Sequence, residues 1–108
     1  MDAIDPETAR QFSQDFPREV VQSLVESFTE DQSRLLRTMA AAAASGDAAA
    51  WRDAAHGLAG AAGGVGAQQL EALARGAMRP GAEPDADLLA ELQNGARNAV
   101  AALGRMLG

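Results

Sequence analysis

The chain has 108 residues, the length of a single domain with room for one modest core. Its 15 acidic side chains outnumber 9 basic ones, for a net charge of -6, which excludes a nucleic-acid binder or a binder of anionic membrane, both of which need a cationic patch. Cysteine and lysine are both missing, so disulfides, thiol chemistry, cysteine metal sites, Schiff bases and P-loop chemistry are excluded too.

Hydrophobic residues make up 47% of the chain but aromatic ones only 4%, and alanine supplies much of the rest. Such a core has to be built from thin, closely packed helices. Asp5-Pro6-Glu7 reads as an N-cap, a proline at the first helical position and a carboxylate in the first turn. A short helix over about residues 6–15 follows, ended by Pro17, which disfavours helical geometry in the residue before it. Phe12 and Phe16 are expected to fold over the end of a bundle. Val20, Val21, Leu24, Val25, Phe28, Leu35, Leu36 and Met39 then recur at helical spacing. They predict one long helix over about residues 17–44, roughly 42 Å at 1.5 Å per residue. Asp31, Arg34 and Arg37 fall on its wet side, and the Ala40–Ala44 run lets a neighbouring helix come close.

Ser45-Gly46-Asp47 joins this helix to the next, with Gly46 suited to a left-handed C-cap and Asp47 to an N-cap. The third helix is expected over about residues 48–64 and is broken at Val65-Gly66. A fourth, about 67–78, turns Leu70, Leu73 and Ala77 inward. Arg79-Pro80-Gly81-Ala82-Glu83-Pro84 is a loop. The last helix, about 85–106, repeats Leu89, Leu92, Ala96, Ala99, Leu103 and Met106 at three- and four-residue spacing. No alternating strand pattern competes. The expected fold is all-α, one domain over residues 1–108: an up-and-down antiparallel four-helix bundle with a short extra N-terminal helix. The start, MDAIDPETAR, is polar and acidic, and no apolar run approaches about 18 residues. A cytoplasmic protein without membrane insertion is expected.

The third helix carries the one histidine of the chain. At about 100° per residue, Trp51, Ala55, Leu58, Ala62 and Val65 fall within about 80° of one another, a narrow buried face. His56 lies about 140° from its centre and should face water or a partner. On the same exposed side the wheel sets Arg52 and Asp53 one turn before it, and Ala59, Gly60 and Gly63 after it. Gly57, Gly60, Gly63 and Gly64 each cost about 0.8–1 kcal/mol relative to alanine inside a helix. Helix formation is therefore not their reason. Gly60 and Gly63, on the His56 side, suit a docking surface that something approaches closely; the plainer alternative is that Gly63 and Gly64 loosen the helix end and that Gly57 is compositional. One histidine among scattered carboxylates makes no ligand cluster, so no metal site is expected. Met39, Met78 and Met106 are read as gap-fillers.

The run His56-Gly57-Leu58-Ala59-Gly60-Ala61-Ala62-Gly63-Gly64-Val65-Gly66-Ala67 resembles the motif of the histidine-containing phosphotransfer (Hpt) domains of multistep two-component signalling. That motif runs His, any residue, Leu, usually Lys, Gly, two small residues, two variable positions, an aliphatic, then Gly-Ala. The resemblance covers about residues 17–80, from the long helix through the Gly46-Asp47 turn to the Leu70–Leu73 helix, and extends to the last helix in general character. It implies a four-helix bundle that carries a phosphoryl group on His56 between receiver-domain aspartates, without kinase activity of its own. The implied partners are a response-regulator receiver domain, a hybrid histidine kinase, or both; the domain needs no cofactor, Mg²⁺ being expected on the receiver. A neutral imidazole keeps one ring nitrogen with a free lone pair for attack on phosphorus. Phosphoryl transfer then depends on in-line positioning and charge stabilisation, so the carrier can be passive. The family's usual lysine is replaced by Ala59, and the small hydroxyl residues after the glycine by Ala61 and Ala62. Arg52 is the nearby cation that could take the lysine's place. The rival reading is a phosphorylation-independent module that docks a receiver or kinase domain through the same face. A monomer is expected, and arginine without lysine, with abundant alanine, suggests a GC-rich bacterial gene.

Overall fold

Local chemistry at the helix ends sets the element boundaries. The structure, a computed structural model, describes residues 2–107 and holds five helices: α1 Pro6–Gln14, α2 Arg18–Ser45, α3 Ala48–Gly64, α4 Gln68–Ala77 and α5 Ala86–Leu107. No strand occurs among the described residues. The Asp5 carboxylate accepts from the Thr8 amide at 3.3 Å and the Thr8 hydroxyl at 3.1 Å, capping α1. Pro17 stands outside α2 as its N-cap rather than inside it, and its carbonyl accepts from the amides of Val20 and Val21. Gly46 ends α2 in the left-handed conformation at φ 71°, and one residue later Asp47 caps α3 by accepting from the Ala50 amide at 3.0 Å. Asp85 does the same for α5, accepting from the amides of Asp87 and Leu88.

The helices α2 to α5 form a closed ring of neighbours, α2 against α3 and α5, α4 against α3 and α5, which is the antiparallel four-helix bundle. The longest dimension is 43 Å, the length of α2. Met39, Trp51, Leu58, Leu70, Leu92 and Leu103 are the largest fully buried side chains, each contributing about 1.5–3 kcal/mol on burial. Val21, Val25, Phe28, Leu36 and Val65 join them, and alanines 42, 54, 55, 59, 62, 67, 74, 77, 96 and 99 make up much of the remaining core, their small volume bringing the helix backbones close together.

α1 lies across one end of the bundle. Its N-terminal amide at Asp5 donates to the carbonyl of Gly66 at 2.7 Å, in the turn between α3 and α4. Gly66 has φ 70°, and a Cβ built there would lie 2.6 Å from Thr8 Cβ, so glycine serves both the turn and the approach of α1. Phe12 is buried and meets Phe16 edge-on at 5.9 Å between ring centroids. Both border a cleft with Val21, Met106 and Leu107, where α2 begins and α5 ends.

Two residues of the apolar stripe expected on α2 are not in the core: Val20 is 42% exposed and Leu24 37%. Leu24 and Ala42 are 18 residues apart, five whole turns at 100° per residue, and share one azimuth of α2. Yet Ala42 is only 3% exposed. The difference lies on α3, which meets Leu24 across a groove lined by Gly60, Ala61 and Gly64, residues too small to cover it.

Candidate functional site

α3 packs between α2 and α4, and this widens its buried side. Ala54, Leu58, Trp51, Ala62, Ala55 and Ala59 are all buried and span about 140° of the helix at about 100° per residue, not the 80° stripe expected from the sequence. Gly63, His56, Gly60, Asp53 and Gly64 are all exposed and occupy an open arc of about 100°. Its edges are marked by neighbours. On the α4 side a Cβ at Gly63 would lie 3.2 Å from Glu71 Oε2, and on the α2 side one at Gly57 would lie 3.1 Å from Leu35 Cδ2. Gly57 is thus a packing residue, where the sequence reading had it as compositional.

His56 and Asp53 are the two polar side chains of the open arc, and Ala49, one helical repeat before His56, adds only a methyl group. No hydrogen bond or ion pair engages the His56 ring among the described residues, so either ring nitrogen can present a lone pair. Around it the surface is bare backbone: a Cβ at Gly60 or at Gly64 would meet nothing within 4 Å. A shallow groove of about 150 Å³ continues from Gly60, Ala61 and Gly64 to Leu24, Ser27 and Asp31 on α2. Leu24 and Val20 extend this face with exposed apolar surface. The sequence reading missed them, because periodicity alone assigns every apolar residue of a stripe to the core; the glycines facing Leu24 were the available signal.

Two expected members of the site stand elsewhere. Ala59 is 4% exposed, so it belongs to the buried arc and not to the open side; the flanking of α3 by α4 covers that edge. Arg52 is half-buried and its Nη1 donates to the carbonyl of Ala82 at 2.9 Å, in the loop between α4 and α5. It is not a fully solvated charge, and among the described residues it makes no ion pair. Gly63 is exposed, but the Glu71 carboxylate, paired with Arg75 at 2.6 Å, stands over one side of it. Among the described residues no three potential metal ligands come together, and no helix is long and apolar enough to cross a membrane.

This arrangement, an exposed histidine in a glycine-lined arc midway along one helix of a four-helix bundle, can be set against known families. The sequence model of the Hpt domain matches residues 23–103, three quarters of the chain. The chain belongs to the Hpt domain family. Hpt domains serve histidine phosphotransfer in phosphorelays, act as phosphocarriers rather than kinases, and interact with receiver and kinase domains. The match includes the last helix, which the motif resemblance reached only in general character. No curated protein and no solved structure matches the chain.

Proposed function

We propose that this Hpt domain carries a phosphoryl group on His56 between receiver-domain aspartates. The observation that supports the reading most is the exposed His56 ring, without a hydrogen bond among the described residues, in an arc where Gly60 and Gly64 leave the backbone uncovered. In the transfer one ring nitrogen attacks the phosphorus of an aspartyl phosphate in line. The nitrogen–phosphorus bond forms, the phosphorus–oxygen bond to the carboxyl group breaks, and its electron pair stays on the departing carboxylate. The proton of the other ring nitrogen passes to solvent. The return step is the reverse, onto the aspartate of a second receiver. The chain brings little charge to the reaction, so the receiver is expected to supply the Mg²⁺ and cationic groups that hold the transferring phosphoryl. Gly60 leaves room for the loops that carry them, and the Leu24 and Val20 face gives the receiver apolar surface to cover. Acting with receivers, the domain would work in the cytoplasm.

The test is a transfer gel and intact mass measurement with a phosphorylated receiver. The wild-type chain is expected to gain one phosphoryl group and His56→Gln none, with thermal stability changed by no more than about 0.5 kcal/mol, as for an exposed site. A His56→Gln chain that still accepts phosphate overturns the assignment. Receiver binding without phosphate uptake by the wild type would leave the docking module in its place.

A further inference from the structure

Arg52 occupies a position from which two groups compete for it. It lies four residues before His56 and about 40° from it around α3, the spacing at which helix side chains are neighbours. Because Cα–Cβ bonds tilt toward the helix N-terminus, the His56 ring leans over the turn that carries Arg52. In the structure the guanidinium instead reaches sideways to the Ala82 carbonyl.

We propose that Arg52 changes partner when His56 is phosphorylated: its guanidinium leaves the carbonyl of Ala82 for the phosphoryl group, and the α4–α5 loop is released. The inference rests on the reading of His56 as the phosphoacceptor. The exchange is favoured because the present bond is to a neutral oxygen, whereas a guanidinium on phosphate makes charge-assisted hydrogen bonds in a forked geometry, roughly twice as strong. Arg52 is also the one arginine of α3, and among the described residues it makes no ion pair that would have to break. Ala59 offers no charge to compete with it.

Release of the loop follows from how little else ties it. Between Arg79 and Pro84 its own bond is the local turn from the Ala82 amide to the Arg79 carbonyl at 3.0 Å, with Gly81 at φ 83°. Among the described residues, Arg52 to Ala82 and Gln68 to Asp2 are the two side-chain hydrogen bonds that join distant parts of the chain. Without the first, no side-chain hydrogen bond holds the loop to α3. A receiver would then meet a different surface beside His56 in the two states, favouring release of one partner and capture of the next.

The experiment uses the full ¹⁵N-labelled chain and phosphoramidate, a small donor that needs no receiver. The donor's phosphorus–nitrogen bond breaks, a new one forms to the ring, and the ring proton leaves with ammonia. Intact mass gives the extent of phosphorylation, and exchange of the Ala82 amide, bonded to the Arg79 carbonyl, reads the loop. Phosphorylation of the wild type is expected to speed this exchange about five-fold, the worth of one net hydrogen bond. In Arg52→Ala the exchange should be fast in both states and the phosphohistidine lifetime several-fold shorter. Arg52→Lys, which keeps a cation, should restore most of that lifetime and remains informative if the alanine variant fails to fold. Phosphorylated wild-type protein with unchanged exchange, or equal lifetimes in all three chains, overturns the exchange of partners alone. If mass shows no phosphoryl on His56 from phosphoramidate or any receiver, the phosphoacceptor reading falls and this inference with it.

Discussion

Gly60 offers a sharp separation of stability from function. It sits inside α3, four residues from the helix end, and a Cβ there would meet nothing within 4 Å. Gly60→Ala therefore gains helix propensity without a steric cost, about 0.8–1 kcal/mol. For a domain of this size that raises the melting temperature by about 4 °C. Gly57→Ala is the internal control, since the same gain is set against a contact of 3.1 Å with Leu35 Cδ2; its melting temperature should rise less or fall. Unfolding can be followed by far-UV circular dichroism and, independently, by the fluorescence of Trp51, the sole tryptophan and fully buried. Coincident curves establish the two-state behaviour that the comparison needs. Gly60→Gln keeps most of the helix gain while placing a long side chain beside His56, so transfer from a phosphorylated receiver should fall at least about ten-fold, a loss of about 1.4 kcal/mol. A lower melting temperature for Gly60→Ala would refute the steric reasoning, and undiminished transfer by Gly60→Gln would place the docking face elsewhere.

Three further substitutions probe other links. Leu24→Asp should cost no more than about 1 kcal/mol of stability, as Leu24 is 37% exposed, yet weaken receiver binding measured by calorimetry about ten-fold if the apolar face is covered on docking. Gly66→Ala should cost at least about 2 kcal/mol in denaturant unfolding, because alanine is strained in the left-handed region and its Cβ would strike Thr8. Ala59→Lys has to lead its stem out from the buried edge, costing about 1 kcal/mol. It should lengthen the phosphohistidine lifetime, an effect that shrinks at high salt.

Features set by neighbouring residues are legible in the sequence; features set by which helices flank which are not. The caps at Asp5 and Asp47 and the left-handed Gly46 follow from chemistry within four residues. The apolar repeat of α3 likewise points His56 away from the core. The width of the buried arc escapes a single-helix wheel, because it depends on α3 being flanked by both α2 and α4, and the burial of Ala59 follows from that flanking. The same holds for Gly57 against Leu35, Gly66 against Thr8, and Arg52 against Ala82: partners 22, 58 and 30 residues away in sequence that no local pattern announces. Val20 and Leu24 show the converse error, apolar residues in register with the core left uncovered because the facing helix carries glycines.

The absent lysine and the tethered arginine belong to one geometric question. Arg52 and Ala59 are seven residues apart, so at about 100° per residue they lie within about 20° of each other around α3, on the edge facing α4. One is four residues before His56, the other three after. A cation at either position reaches the phosphoryl from the same flank, and only the axial direction differs. Position 59 is closed over by packing, which suits alanine in a core built of alanines and suits a long polar stem poorly. Arg52 starts from the less covered end of that edge, already extended and held by one neutral acceptor. On the proposed exchange its guanidinium would move from the loop to the histidine from a half-buried start, whereas a lysine at 59 would have to lead its stem out of a buried position. With a net charge of -6, Asp53 in the same arc and a single arginine on α3, Arg52 is the one side chain of α3 that would offset the charge of a phosphoryl group if His56 accepts it.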